Sequence, residues 1–191
     1  MTQAALVSIQ VGMPQQRMSV SAAGKAMLWS TGIYKSPVEG RVFLGFLNLE
    51  GDGQADLSVH GGRNKAVMVY SADHYPLWRA ELPDVDFSGY GAFGENFTVS
   101  GMTEDNVCLG DIYQIGDAIV QVTQPRQPCW KLAQRLQTRT IGALVIKSGR
   151  SGWYLGVMQE GYVEAGQTFT LLERSYPDWT ITYANAEMYR E

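Results

Sequence analysis

A cysteine stands between two cations in Gln124-Pro-Arg-Gln-Pro-Cys129-Trp-Lys131, at the expected start of a helix. Nearby positive charge and a helix N-terminus both favour thiolate over thiol. Two prolines, Pro125 and Pro128, stiffen the approach and hold the sulfur in place. A thiolate so prepared can attack as a nucleophile, carry a persulfide or ligate a soft metal. The plainer alternative is a buried, inert cysteine, which is common for free thiols. Cys108, among apolar neighbours and with no adjacent base, reads as core.

Three further segments hold groups that could serve such a sulfur. In His60-Gly-Gly-Arg63-Asn-Lys65 the glycines let backbone amides approach an anion, and the cations supply charge. The spacing is neither a Walker A loop nor a dinucleotide fingerprint, and a glycine-rich turn with solvated cations would look the same. In Phe93-Gly-Glu-Asn-Phe97, Asn96 can offer a donor and an acceptor to a heterocycle edge; a turn entering a strand is the bland reading. Lys35 precedes an X-Pro turn and alone would pass for a surface lysine. His74 falls on a helical pattern and reads as packing. No HExxH, GxSxG or CxxC occurs, and nothing in the chain favours a Cys–His protease pairing of Cys129 with His60.

The elements that must position these residues are mostly short strands. Apolar and β-branched runs predict strands at 4–11, 26–30, 41–49, 66–70, 96–99, 111–115, 118–123, 152–158 and 168–173. The link from Ile115 through Gly116 to Ala118 signals a hairpin. Helical spacing appears at 72–82, despite Pro76, and at 130–137 and 140–147, with another helix beginning near 181. Many short strands, 21 glycines and few helices suggest a closed or strongly curved β-barrel with helices outside it, or else an open α+β sandwich.

Composition narrows the class. The 191 residues are 45% hydrophobic and 18% charged, an ordinary globular balance. Fifteen basic against 19 acidic residues give a net charge of −4, which argues against a nucleic-acid partner. Two cysteines are too few for a disulfide scaffold, a four-cysteine zinc site or an iron–sulfur cluster. The start lacks a positive region and a long apolar core, and no run approaches membrane-spanning length. The expectation is a cytoplasmic protein with reduced thiols and no membrane partner.

In order, Lys35-Ser-Pro-Val38, Asp52-Gly, His60-Gly-Gly-Arg63, Phe93-Gly-Glu-Asn-Phe97, Leu109-Gly-Asp111 and Gln124-Pro-Arg-Gln-Pro-Cys129 resemble the MOSC family, named for the C-terminal domain of molybdenum-cofactor sulfurase. The resemblance is greatest to stand-alone bacterial members that reduce N-hydroxylated purines such as 6-hydroxylaminopurine. It implies one MOSC domain over residues 1–191, with motifs at about 30–130 and a short tail from about 181, and a mainly β fold built as a distorted barrel like that of pyruvate kinase, with a few peripheral helices. It implies a molybdenum cofactor with Cys129 as the protein ligand to the metal. Lys35, Arg63 and Arg126 would meet the pterin phosphate; His60 and Asn96 would lie near the metal or pterin as polar contacts, His60 with a catalytic role.

The implied reaction is reduction of N–OH to N–H with loss of water. Electrons would come from a separate reductase, because the chain has no flavin or nicotinamide fingerprint. A homodimer is compatible with the family pattern. Many members continue into a longer C-terminal helical segment, whereas this chain ends at Glu191, which puts the usual docking or dimer surface in question. Pyridoxal phosphate, associated with the family through the sulfurase, has no evident lysine here. Two other readings of the same residues stay open: a carrier of persulfide sulfur or of cofactor, and a binding domain that kept the barrel without the activity.

Overall fold

The structure, a computed structural model, describes residues 4–20 and 24–190. In chain order the elements are β1 (Ala5–Val11), β2 (Gln15–Val20), β3 (Ala26–Thr31), β4 (Ser36–Val38), β5 (Val42–Leu44), α1 (Leu57–His60), β6 (Val67–Ser71), α2 (Tyr75–Glu81), β7 (Phe97–Ser100), β8 (Ile112–Ile115), β9 (Ala118–Pro125), α3 (Trp130–Leu136), α4 (Ile141–Ser148), β10 (Trp153–Gln159), β11 (Gly161–Val163), β12 (Thr170–Glu173) and α5 (Ile181–Met188). Eight strands form one sheet in the order β12-β8-β9-β10-β6-β7-β1-β4, antiparallel except for the β6–β7 pair. The sheet curls until its far side returns: the Leu6 amide donates to the Gln167 carbonyl at 2.8 Å, and the Phe169 amide to the Ala4 carbonyl at 3.0 Å. The expected mainly β barrel with peripheral helices is therefore the observed fold.

The pleat explains why β6 is buried along its whole length. Successive side chains of a strand point to opposite faces. Val67 and Val69 enter the barrel core with Leu6, Ile9, Phe97 and Trp153. Met68 and Tyr70 face outward into a second core, where Trp78 of α2, Leu132 and Leu136 of α3, and Ile141 and Val145 of α4 pack with Phe87 and Phe93. A strand covered on both faces reads as a continuous apolar run, as Val67–Ser71 does. In β9 the buried positions instead alternate over Ala118 to Val122. Pro76 falls in the first turn of α2, where no backbone donor is required, so the helix forms despite it.

Two local expectations change. The run 41–49 is not one strand: β5 ends at Leu44, and the chain turns back so that the Gly45 amide donates to the Asn48 carbonyl at 3.0 Å. Residues 15–20 form β2, which pairs with β3 as a separate ribbon, in register Gln15↔Thr31. The polar sequence of β2 has no inward apolar face to announce it, because the ribbon leaves the main sheet. Among the described residues, no helix is long and apolar enough to cross a membrane.

Candidate functional site

The barrel delivers Cys129 from one strand end. β9 stays paired with β10 as far as Pro125, opposite Trp153, and the Arg126 amide then donates to the Gly152 carbonyl at 3.0 Å. Pro128 ends the extended approach, and Cys129 is the residue that caps α3, with its backbone still extended. Leu132 and Leu136 anchor that helix in the outer core, so the position of the sulfur is set by packing several residues away. Trp130, next in the chain, lays its ring against Trp29 of β3 with centroids 5.1 Å apart. This contact holds the β2–β3 ribbon against the same corner.

His60 arrives from the opposite wall. It is the last residue of α1, a single turn whose entry is capped by Asp56, with the Ser58 amide donating to Asp56 Oδ1 at 3.0 Å. His60 and Cys129 line the same cleft, and the imidazole favours the thiolate. Burial pushes the Cys129 thiol up, but His60, the Arg126 guanidinium and the Lys131 amide together outweigh it and draw the thiol down to about 7. Cys108 goes the other way: it is 1% exposed, burial raises its thiol, and its Sγ donates to the Pro177 carbonyl at 3.4 Å. Only Cys129 has the environment of a working sulfur.

Cys129 and His60 line one open cleft, together with Lys35, Asn96, Arg126, Lys131, Lys65 and Tyr154. Its floor is a closed polar network. Asp52 Oδ1 takes the Lys35 ammonium and the Gly12 amide (2.9 Å), and its Oδ2 takes Asn96 Nδ2 at 2.8 Å. Asn96 donates again to the Gln10 carbonyl at 3.2 Å and accepts the Met68 amide on Oδ1 at 3.1 Å. Both amide protons of Asn96 are thus committed inside the protein, and a single lone pair of Oδ1 is left. Burial lowers the Lys35 ammonium, opposed by Asp52. Glu95, fully buried, shapes the neighbouring turn by accepting the Gly91 amide at 2.7 Å and the Phe93 amide at 3.1 Å, with the Tyr75 hydroxyl as a third donor. Gly94 follows with a φ of +79°, and a Cβ there would meet Ile33 Cγ1 at 2.7 Å. The Gly-Glu-Asn segment therefore builds the cleft floor.

Arg126 is different. It is 5% exposed; Nη2 donates to the Phe93 carbonyl at 3.2 Å, while Nη1 is buried with no partner. A buried guanidinium nitrogen left unsatisfied is costly unless an anion completes it. Arg63 does not line the cleft: it is exposed on the turn after α1, with its guanidinium 4.6 Å from the Phe46 ring centre. Lys65 lines it instead, tethered by a hydrogen bond from Nζ to the Val59 carbonyl at 2.6 Å. Tyr154 of β10 forms another wall, and burial raises its hydroxyl against the pull of Arg126. Sequence reasoning had no signal for Tyr154, which sits in an ordinary strand pattern and meets the site only through pairing with β9.

Among the described residues no three His, Cys, Asp or Glu side chains converge as a cage for a metal ion. One softened thiolate beside an unsatisfied guanidinium suits instead a metal that brings most of its ligands in an anionic organic group.

A family model described as the MOSC domain matches residues 56–170. The chain belongs to the MOSC domain family. The Bacillus subtilis (strain 168) MOSC relative YflK is 43% identical over 97% of this chain and 81% of its own length. A protein called Reductase from Gibberella moniliformis is 42% identical over 80% of this chain but only 27% of its own length. The crystal structure of YiiM from Geobacillus stearothermophilus superposes with a TM-score of 0.77 at 36% identity, covering 98% of this chain and 84% of that one. MOSC domains are associated with the molybdenum cofactor, and the Cys129 thiol and the unpartnered Arg126 Nη1 of this cleft fit such a group.

Proposed function

We propose that this MOSC protein binds molybdenum cofactor in the Cys129 cleft and reduces N-hydroxylated compounds, purines among them, to the amines. The observation that carries this reading is one cleft that holds both a thiol drawn down to about 7 and a buried Arg126 Nη1 without a partner. Cys129 would ligate the molybdenum. Arg126, with Lys131 and Lys65, would hold the anionic parts of the pterin. When bound, the cofactor supplies two-electron chemistry at a metal.

The chain's own residues do the rest. His60 orients and polarises the Cys129 sulfur and can carry a proton at its imidazole. The Lys35–Asp52–Asn96 floor keeps the walls at fixed separation. The overall change is cleavage of the N–O bond, with two electrons and two protons consumed, the nitrogen ending as N–H and the oxygen as water. The electrons come from a separate reductase. The match to a protein named Reductase, of which the MOSC region is only about a quarter, supports a reductase as functional neighbour.

The test is molybdenum analysis of the protein purified from a host that makes the cofactor, followed by turnover of 6-hydroxylaminopurine with dithionite-reduced methyl viologen. Near one molybdenum per chain and turnover are expected, both lost in Cys129→Ser and both kept in Cys108→Ser. Absence of molybdenum together with an added sulfur on Cys129 by mass spectrometry would replace this reading with that of a persulfide carrier.

A further inference from the structure

From residue 118 to residue 159 the chain contains no aspartate or glutamate but six cations, Arg126, Lys131, Arg135, Arg139, Lys147 and Arg150. A chain of net charge −4 therefore concentrates +6 in this stretch and −10 in the remainder. Two of the six are used internally: Arg126 is buried in the cleft, and Arg150 Nη2 contacts both Glu81 oxygens at 2.7 Å. The other four stand on α3, on α4 and on the turn between them, and among the described residues none forms an ion pair. Lys131 acts at a distance on Asp56 and Arg135 on Asp86, both exposed on other elements. Arg17 of β2 joins the group: it and Arg135 both lie over the Tyr34 ring, at 4.4 Å and 4.7 Å.

Unpaired like charges side by side do not stabilise a fold; they set a field. Arg139 and Lys147 lie outside the cleft lining, so a small ligand in the cleft does not account for them. The face also carries exposed apolar groups. Trp130 is 50% exposed directly beside Cys129, and Ile146 is 44% exposed beside Lys147. Pro128 shares a small cavity with Val145 and Ile146, which ties this part of α4 to the turn that carries the sulfur. Exposed aromatic and aliphatic groups among unpaired cations suit a transient, electrostatically steered protein interface.

We infer that the α3–α4 face, which includes Trp130, docks an acidic electron-donor protein beside the Cys129 cleft. This rests on the reductive function proposed above. A donor with a reduced flavin or iron–sulfur centre in an acidic surround gives up one electron at a time. Two such transfers, from two reduced donor molecules or from one re-reduced between them, supply the two electrons consumed in N–O cleavage; the two protons come from solvent.

The test uses a reduced flavodoxin, an acidic flavin carrier kept reduced by NADPH and its reductase, against methyl viologen as a donor that needs no docking face. In Arg139→Glu/Lys147→Glu the flavodoxin KM should rise at least tenfold and its salt dependence flatten, while kcat with methyl viologen stays unchanged. Arg41→Glu, which breaks an exposed pair with Asp117 elsewhere, should change neither. Equal loss with both donors, or an unchanged flavodoxin KM, overturns the docking face. If methyl viologen drives no turnover in the unaltered protein, the reductive function fails on its own, and flavin fluorescence anisotropy still decides the surface. Salt-sensitive flavodoxin binding that is lost in the double variant supports it. Absence of binding, or tighter binding of a single-stranded oligonucleotide that displaces flavodoxin, overturns it.

Discussion

Asp52 and Asn96, 44 residues apart in the chain, meet at 2.8 Å beneath the cleft and join two loops to the first strand of the barrel. Asp52 also holds the Lys35 ammonium, and both side chains of that pair are nearly inaccessible, at 7% and 1%. Removing one member of a buried pair strands the other and costs about 3–5 kcal/mol. Asp52→Ala should therefore lower the unfolding free energy by about that amount in a urea titration, and Lys35→Met by less, because Asp52 keeps its two neutral donors. The double variant should be less destabilised than the sum of the two.

Cys129 should show its environment in its reactivity. With its thiol drawn down to about 7 in the folded, cofactor-free protein, the rate of iodoacetamide alkylation should rise about tenfold per pH unit below that value and level off above it. In urea the plateau should move up toward the ordinary thiol range. Because the folded thiol lies below its unfolded value, the thiolate's contribution to stability is present at high pH and is lost as pH falls through about 7. His60→Ala should shift the alkylation midpoint upward, and Cys108 should stay unreactive throughout.

Arg126 separates stability from binding. Its Nη1 has no partner, so Arg126→Met removes an unsatisfied buried nitrogen while freeing one Phe93 carbonyl. These effects oppose each other, and the melting temperature of the cofactor-free variant should change by only a few degrees, equivalent to about 1 kcal/mol. Inorganic phosphate should raise the melting temperature of the unaltered protein but not of the variant. A large loss of stability without any ligand would mean that the guanidinium is structural.

Gly94 should tolerate no side chain. Its φ of +79° is unfavourable for L residues, and a Cβ would crowd Ile33. Gly94→Ala should cost about 1–3 kcal/mol by denaturant titration. Adding Ile33→Ala should recover the steric part and leave the backbone part, so rescue should be incomplete.

Much of this protein was legible in its residues. The apolar run at Val67–Ser71, the hairpin at Ile115 to Ala118 and the helical spacing after Cys129 all became the elements they predict, because each is decided by local patterning. The motifs that resemble the MOSC family stood in order along the chain, and Cys129 was marked by its flanking prolines and cations. The β2 strand was not legible, since a ribbon outside the main sheet needs no buried face.

What the sequence by itself determined is a thiol flanked by cations in a mainly β scaffold of the MOSC family. Which residues line the cleft around that thiol was decided only by the tertiary structure. Asn96 and Arg63 carry the right groups, yet Asn96 spends both amide protons on the floor network and Arg63 turns out to Phe46, while Lys65 and Tyr154 line the wall. The reason is physical. A side chain's chemistry belongs to its residue type, but which hydrogen bonds it has left to offer depends on neighbours brought together by long-range strand pairing, and no local pattern encodes those.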